Sequence, residues 1–112
     1  MLGWYAASKH AVEAISDSLR AEVEAFGIHV SVIEPGAFKT GFEGVALEQL
    51  ARVEHDDAYK DNVERFKENF RKTYEKAPTP EPVIKAIVNA LQARKPKTRY
   101  TAGDAGMAIM MK

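Results

Sequence analysis

The chain has 112 residues, of which 46% are hydrophobic and 29% charged, which is typical of one small globular domain and not of a disordered tail. Sixteen basic residues balance sixteen acidic ones, so net charge provides no general attraction to nucleic acid or to an anionic membrane. There is no cysteine and no apolar run long enough to span a bilayer, which excludes thiolate metal sites and favours an intracellular, cytoplasmic protein without a membrane segment.

The first predicted element is an amphipathic helix over residues 5–26. Its larger apolar residues recur every three or four positions, the period of a helix with one apolar face; they are Val12, Ile15, Leu19 and Val23. Gly27 follows as the expected C-terminal cap, because glycine adopts the left-handed conformation that ends many helices. Residues 28–34 then predict a strand rich in β-branched residues, and apolar residues on both of its faces are typical of a buried parallel strand.

Residues 41–77 are more polar and less regular, and we expect two helices there. The first is short, and the second carries an aromatic stripe that ends at Tyr74. His55 stands beside two aspartates between them, and a helix cap is a better interpretation than a metal site for one histidine in such a loop. A last helix over residues 80–93 begins at Thr79-Pro80-Glu81, and a short strand is expected from Thr98 to Thr101.

Strands separated by helices predict an α/β layer with a parallel sheet. A buried strand needs a neighbour on each side, and the chain offers one at most for residues 28–34. We therefore expect that further elements of the sheet are missing from this chain.

Tyr5 and Lys9 are four residues apart at the start of the first helix, so their side chains lie one turn apart on one face. A free phenol has a pKa of about 10 and is a poor base at neutral pH. A nearby ammonium stabilises the phenolate, which can take a proton from an alcohol or return it to a carbonyl oxygen. On its own the motif is weak, because the same spacing also describes an exposed aromatic residue beside a solvated lysine.

The surrounding sequence makes the motif specific. The run Tyr5-Ala-Ala-Ser-Lys9-His-Ala-Val12 resembles the active-site helix of the classical short-chain dehydrogenases/reductases, and Ile33-Glu-Pro-Gly-Ala-Phe-Lys-Thr40 resembles their Pro-Gly motif. Both occur in the order and spacing of that family. The resemblance is close over residues 3–42 and looser over residues 44–112. The motif residues are most similar to those of the branch with the 17β-hydroxysteroid and retinol dehydrogenases.

The resemblance implies a fold and an activity for residues 1–112. The fold would be the C-terminal half of a Rossmann-type, doubly wound parallel sheet that lacks its N-terminal strands. The parent activity would be an NAD(P)-dependent oxidoreductase that interconverts a secondary alcohol and a ketone by hydride transfer. In that setting Tyr5 would be the general acid/base, and Lys9 would stabilise its phenolate and bind the nicotinamide ribose.

The Pro-Gly motif would hold the nicotinamide end of the cofactor. The backbone after Pro35 and Gly36, near Phe38, would bind the carboxamide, and the Thr40 hydroxyl would add a further contact. Residues 41–77 would form the substrate lid. Phe42, Phe66 and Phe70 would line a pocket for a small alcohol or ketone there, and packing against the protein body is the alternative for these aromatic residues.

Departures from the family pattern limit what these residues predict. The catalytic serine and the glycine-rich nucleotide loop of the family belong upstream of the tyrosine, and Ser8 is better interpreted as a helix-packing residue. We therefore expect these 112 residues by themselves to be inactive, to bind neither NAD nor NADP tightly, and to contain no metal. The choice between the two cofactors stays open.

Two other classes of function stay open. One is a non-catalytic interaction or oligomerisation module of the same fold, since relatives pair through the helix predicted at residues 5–26. The other is the extended branch of the superfamily, with its sugar-nucleotide epimerases, which the Pro-Gly-x-Phe-x-Thr run disfavours. The basic run from Arg94 to Arg99 lacks interleaved aromatic residues, so a solvated turn is a better interpretation than a nucleic-acid site.

Overall fold

A computed structural model describes residues 3–103. Helix α1 spans Gly3–Val23 and passes into a 3-10 turn at Glu24–Phe26. The other elements follow in chain order: strand β1 (Val32–Pro35), helix α2 (Phe42–Arg52), a 3-10 turn (Asp57–Tyr59), helix α3 (Lys60–Glu75), helix α4 (Glu81–Gln92) and strand β2 (Arg99–Ala102). The order confirms the prediction of an α/β chain in which helices separate the strands.

The two strands pair in parallel, with Val32 opposite Arg99 and Pro35 opposite Ala102. Parallel pairing requires a long crossover connection, and the residues between β1 and β2 supply it as helices. This part of the molecule is consistent with a portion of a Rossmann-type sheet. The contacts form two compact units, one of which contains α1, β1, α4 and β2, while the other extends from Ala37 to Pro80.

The strand predicted at residues 28–34 is shorter and less buried than expected. Its ladder with β2 begins at Val32, and Val32, Ile33 and Glu34 are half-buried. The physical reason is that β2, only four residues long, is the one strand that pairs with β1 among residues 3–103. Ser31, just before the ladder, contacts the segment that leads into β2, because its hydroxyl donates to the carbonyl of Lys97 at 2.7 Å.

The first helix, predicted at residues 5–26, spans Gly3–Val23 with a 3-10 turn at Glu24–Phe26. Gly27 has a φ of 72° and donates its N–H to the Glu24 carbonyl, which confirms its role as the cap. Asp56 caps the 3-10 turn before α3 by accepting from the Ala58 N–H at 2.9 Å. The last helix begins at Glu81, one residue later than predicted, and ends at Gln92.

Burial is concentrated between Ala37 and Pro80. The buried residues of this stretch are Phe38, Val63, Phe70, Tyr74 and Ala77. In the other unit, only Ala86 of α4 and Ala102 of β2 are buried among the described residues. None of the residues of α1, every one of which is described, is buried. No helix between residues 3 and 103 is both long and apolar enough to cross a bilayer.

Candidate active site

Helix α1 carries the predicted acid/base pair in its first two turns. Tyr5 is half-buried and Lys9 is exposed. The Lys9 ammonium lies over the Tyr5 ring, 5.3 Å from the ring centroid, which is within the range of a cation–π contact. The helix spacing therefore brings the two predicted groups into direct contact, as their sequence separation indicates.

The polar neighbours of this pair bind the backbone of the helix. The Ser8 hydroxyl donates to the Tyr5 carbonyl at 2.7 Å. The His10 Nδ1 atom lies 3.0 Å from the Ala6 carbonyl oxygen. Local contacts of this kind are typical of polar residues that follow the surface of a helix. Ser8 is thus bonded to its own helix and exposed at its surface.

The Pro-Gly segment begins where β1 ends. Pro35 is the last residue of the strand, and the Gly36 N–H donates to the Ala102 carbonyl at 2.8 Å. This hydrogen bond extends the parallel ladder by one residue beyond β1. The amide of Gly36 is thus already used by the sheet, and the backbone that is expected to meet a cofactor carboxamide begins after it.

The residues after Gly36 lead into α2. The side chain of Phe38 is only 5% exposed, and the Lys39 N–H donates to the Pro78 carbonyl at 2.8 Å. Thr40 is exposed, and its hydroxyl oxygen accepts from the Phe42 N–H at 3.2 Å. A hydroxyl that accepts one hydrogen bond still has a hydrogen to donate, so Thr40 remains suitable as a donor to a ligand.

The aromatic stripe of α3 packs with the start of α2. The Phe70 ring centroid lies 4.8 Å from that of Tyr74, 5.4 Å from Phe66 and 6.2 Å from Phe42. Phe70 and Tyr74 are buried, Phe66 is half-buried and Phe42 is 37% exposed. The burial of Phe70 favours packing over pocket lining at that position, whereas Phe42 and Phe66 keep surface that a substrate can reach.

No group of three or more histidine, aspartate or glutamate residues within residues 3–103 is arranged to hold a metal ion. The His55 Nε2 atom lies 3.2 Å from the Leu50 carbonyl oxygen, and Asp56 acts as a cap. The helix-cap interpretation of this loop is therefore confirmed for Asp56.

One polar cluster was missed by reasoning from the sequence. Arg99 does not lie in a solvated turn, because its guanidinium contacts Glu13 at 3.1 Å, Asp17 at 2.9 Å and Glu34 at 3.6 Å. The hydrogen bonds from Arg20 and Arg99 hold the pKa of the Asp17 carboxyl below its ordinary value of 3.8. The hydrogen bonds that Arg99 donates to Asp17 and Glu13 raise the pKa of Arg99. Glu13 and Asp17, four residues apart on one helix face, were the available signal, but their partner lies more than 80 residues away.

The sequence is similar to known dehydrogenases over most of its length. A family model described as short chain dehydrogenase matches residues 1–51. A probable short-chain type dehydrogenase/reductase of Helicobacter pylori is 40% identical over 102 residues, which cover 91% of this chain and 37% of the relative. Retinol dehydrogenase 7 of Rattus norvegicus is 38% identical over 90% of this chain and 35% of its own length.

A third relative has a name that refers to a hydroxysteroid. The human 17-beta-hydroxysteroid dehydrogenase type 6 is 32% identical over 91% of this chain and 35% of its own length. The chain therefore spans little more than a third of the length of the curated relatives it matches. Residues beyond the matched 1–51 segment take part in these alignments, since each covers about nine tenths of the chain.

Proposed function

Because the chain belongs to the short-chain dehydrogenase/reductase family, we propose that it carries the proton-transfer residues of an NAD(P)-dependent oxidoreductase. The proposed reaction interconverts a secondary alcohol and a ketone. The observation that carries it is the contact between Tyr5 and Lys9, with the ammonium 5.3 Å from the ring centroid. The relatives named for retinol and for a hydroxysteroid support an apolar, lipid-like alcohol as substrate.

In this proposal Tyr5 takes the hydroxyl proton of the alcohol as the carbinol carbon loses a hydride, and it returns the proton to the carbonyl oxygen in the reverse direction. Lys9 stabilises the phenolate while the proton is absent. A bound nicotinamide supplies the acceptor or the donor of the hydride. The alcohol would lose one proton to Tyr5 and one hydride to the nicotinamide, and the ketone would remain.

The residues after β1 fit the nicotinamide end of such a cofactor. The Gly36 N–H donates to the Ala102 carbonyl and the Lys39 N–H to the Pro78 carbonyl. We therefore assign the proposed contact with the carboxamide to the backbone at Ala37 and Phe38. The exposed Thr40 hydroxyl would donate a further hydrogen bond. The sequence contains no Gly-x-x-x-Gly-x-Gly run to hold a pyrophosphate. We therefore propose that the 112 residues by themselves bind neither NAD nor NADP tightly and do not turn over.

The stretch at residues 41–77 is proposed as the substrate lid. Phe42, which is exposed, and Phe66, which is half-buried, would meet an apolar substrate, while Phe70 supports them from the buried side. A cytoplasmic location is proposed on the absence of cysteine from the chain.

The test compares Tyr5→Phe with Tyr59→Phe, which removes the same hydroxyl from a tyrosine that is 61% exposed. Both are made in the chain expressed together with the coding sequence in frame upstream of Met1, and NAD(P)H absorbance is followed with apolar secondary alcohols and ketones. Tyr5→Phe should lower kcat/KM by about 10²–10⁴-fold, the usual contribution of a general acid/base, and Tyr59→Phe should not. Equal activity in the two variants would refute the assignment.

A second candidate function is an oligomerisation module that acts through α1. Val12 is 53% exposed, Ile15 65% and Leu19 44%, so the helix presents an uncovered apolar stripe to another copy of the chain. Sedimentation of the purified chain over a range of concentrations tests this function. The module should dimerise, and Ile15→Glu should abolish the dimer, whereas Ala21→Glu, which adds the same charge at an exposed residue of α1 outside the stripe, should not.

A further inference from the structure

The position of α1 depends on polar contacts more than on apolar packing. All 21 of its residues are described and none is buried. Two arginines join it to the sheet region: Arg20 donates from Nε to the Val30 carbonyl at 2.8 Å, and Arg99 binds Glu13 and Asp17. A helix without a buried face is free to tilt unless such contacts fix it.

Arg99 is the first residue of β2, and it joins that strand to two other elements. Its Nη2 atom lies 3.0 and 2.9 Å from the two carboxylate oxygens of Asp17, and its Nε donates to Glu13 at 3.1 Å. Several charge-assisted hydrogen bonds from one planar guanidinium constrain direction as well as distance. The contact therefore fixes the orientation of α1 against β2 in a way that a single lysine–carboxylate pair does not.

The same guanidinium reaches the strand that leads into the Pro-Gly segment. The Arg99 Nε atom lies 3.6 Å from Glu34, whose side chain is only 12% exposed. Glu34 immediately precedes Pro35 and also lies 3.4 Å from the Thr101 hydroxyl. One side chain is thus in contact with the helix of the acid/base pair and with the strand that ends at the proposed cofactor loop.

The residues that Arg99 binds on α1 continue the line of the acid/base pair. Tyr5, Lys9, Glu13 and Asp17 follow one another at intervals of four, so each lies about one turn beyond the last. Eight residues of helix separate Glu13 from Tyr5, which is about 12 Å at ~1.5 Å per residue, and a tilt of about 5° at Glu13 moves Tyr5 by about 1 Å. A displacement of about 1 Å in a reacting group can cost about 100-fold in rate.

We propose that Arg99 is a positioning residue that holds the helix of Tyr5 and Lys9 in register with the strand entering Pro35-Gly36. This inference rests on the proposed function for its catalytic meaning, but the contact itself can be tested without turnover. The variants are Arg99→Met, which removes the charge and keeps the length, and Arg99→Lys, which keeps the charge without the planar fork. Arg94→Met, at an exposed arginine of the preceding turn, is the matched control.

The first measurement is the distance from α1 to the sheet. Trp4 is the only tryptophan and the chain has no cysteine, so Asn89→Cys on α4 can carry a single energy-transfer acceptor. Helix α4 packs on both strands and moves with them. Arg99→Met should broaden the distribution of Trp4-to-acceptor distances by about 1–2 Å, as the lever estimate requires. Arg99→Lys should give a distance distribution of intermediate width, and Arg94→Met should leave the width unchanged.

Fold integrity is checked by circular dichroism in each variant. If Arg99→Met does not fold, Glu13→Ala combined with Asp17→Ala removes both carboxylates that Arg99 contacts on α1 and should broaden the distribution equally. Unchanged distance distributions in folded variants of both kinds overturn the proposal.

The second measurement is steady-state turnover in the form of the protein used for Tyr5→Phe. Arg99→Met should lower kcat by about 10–100-fold, with the substrate KM within about threefold, because the proton-transfer group is misplaced while the substrate site is intact. Arg99→Lys should recover part of kcat. An unchanged kcat in Arg99→Met, when Tyr5→Phe removes activity, overturns the positioning role and leaves the proposed function standing. If Tyr5→Phe has no effect on turnover, the proposed function is overturned instead. The distance measurement then still decides whether Arg99 positions α1.

Discussion

Replacing Phe70 by alanine should unfold the stretch between Ala37 and Pro80. Phe70 is 7% exposed and its ring lies within 4.8–6.2 Å of three other aromatic rings. Truncation of a buried phenylalanine to alanine costs about 3–5 kcal/mol. At ~0.05–0.15 kcal/mol per residue, 44 residues have a free energy of unfolding of about 2–7 kcal/mol. The loss is therefore comparable to the whole stability of this stretch.

Amide hydrogen exchange measures the result by segment. Protection should fall throughout Lys60–Glu75 and Phe42–Arg52 in Phe70→Ala. Phe26→Ala is the matched control, because the same atoms are removed from a side chain that is 77% exposed, and protection should change by no more than about 0.5 kcal/mol. If Phe70→Ala also stays within about 0.5 kcal/mol of the wild type, Phe70 lines an open pocket and the core assignment is wrong.

Three further predictions concern single contacts. Gly27→Ala should lower the free energy of unfolding in urea by about 1–2 kcal/mol, because φ is 72° and the cost is conformational rather than steric. Asp56→Ala should lower it by about 1 kcal/mol through loss of the cap, and Asp57→Ala, measured in the same titration, should cost clearly less. The pKa of Asp17 is lowered in the folded state, so its contribution to stability is complete at pH values above the ordinary value of 3.8 and is lost as pH falls through the folded-state pKa. Asp17→Asn should remove this part of the acid unfolding curve.

The sequence by itself determined the local features of this protein. Helix period, the glycine cap at Gly27 and the cap at Asp56 depend on residues within a few positions of one another, so they can be read without a fold. The pairing of Tyr5 with Lys9 is local for the same reason, since a helix places residues four apart side by side. The similarity to short-chain dehydrogenases/reductases followed from two short motifs in the correct order.

Only the tertiary structure decided which side chains are buried and which distant charges meet. An aromatic stripe has the same spacing whether it packs or lines a pocket, and only the fold shows that Phe70 is buried while Phe66 is half-buried. The strand expected from residue 28 begins at Val32 because its length is set by the partner strand that pairs with it. Arg99 belongs with Glu13 and Asp17 because helix α1 and the first residue of β2 meet only in the folded chain. These residues are more than 80 positions apart, and no local rule contains that information.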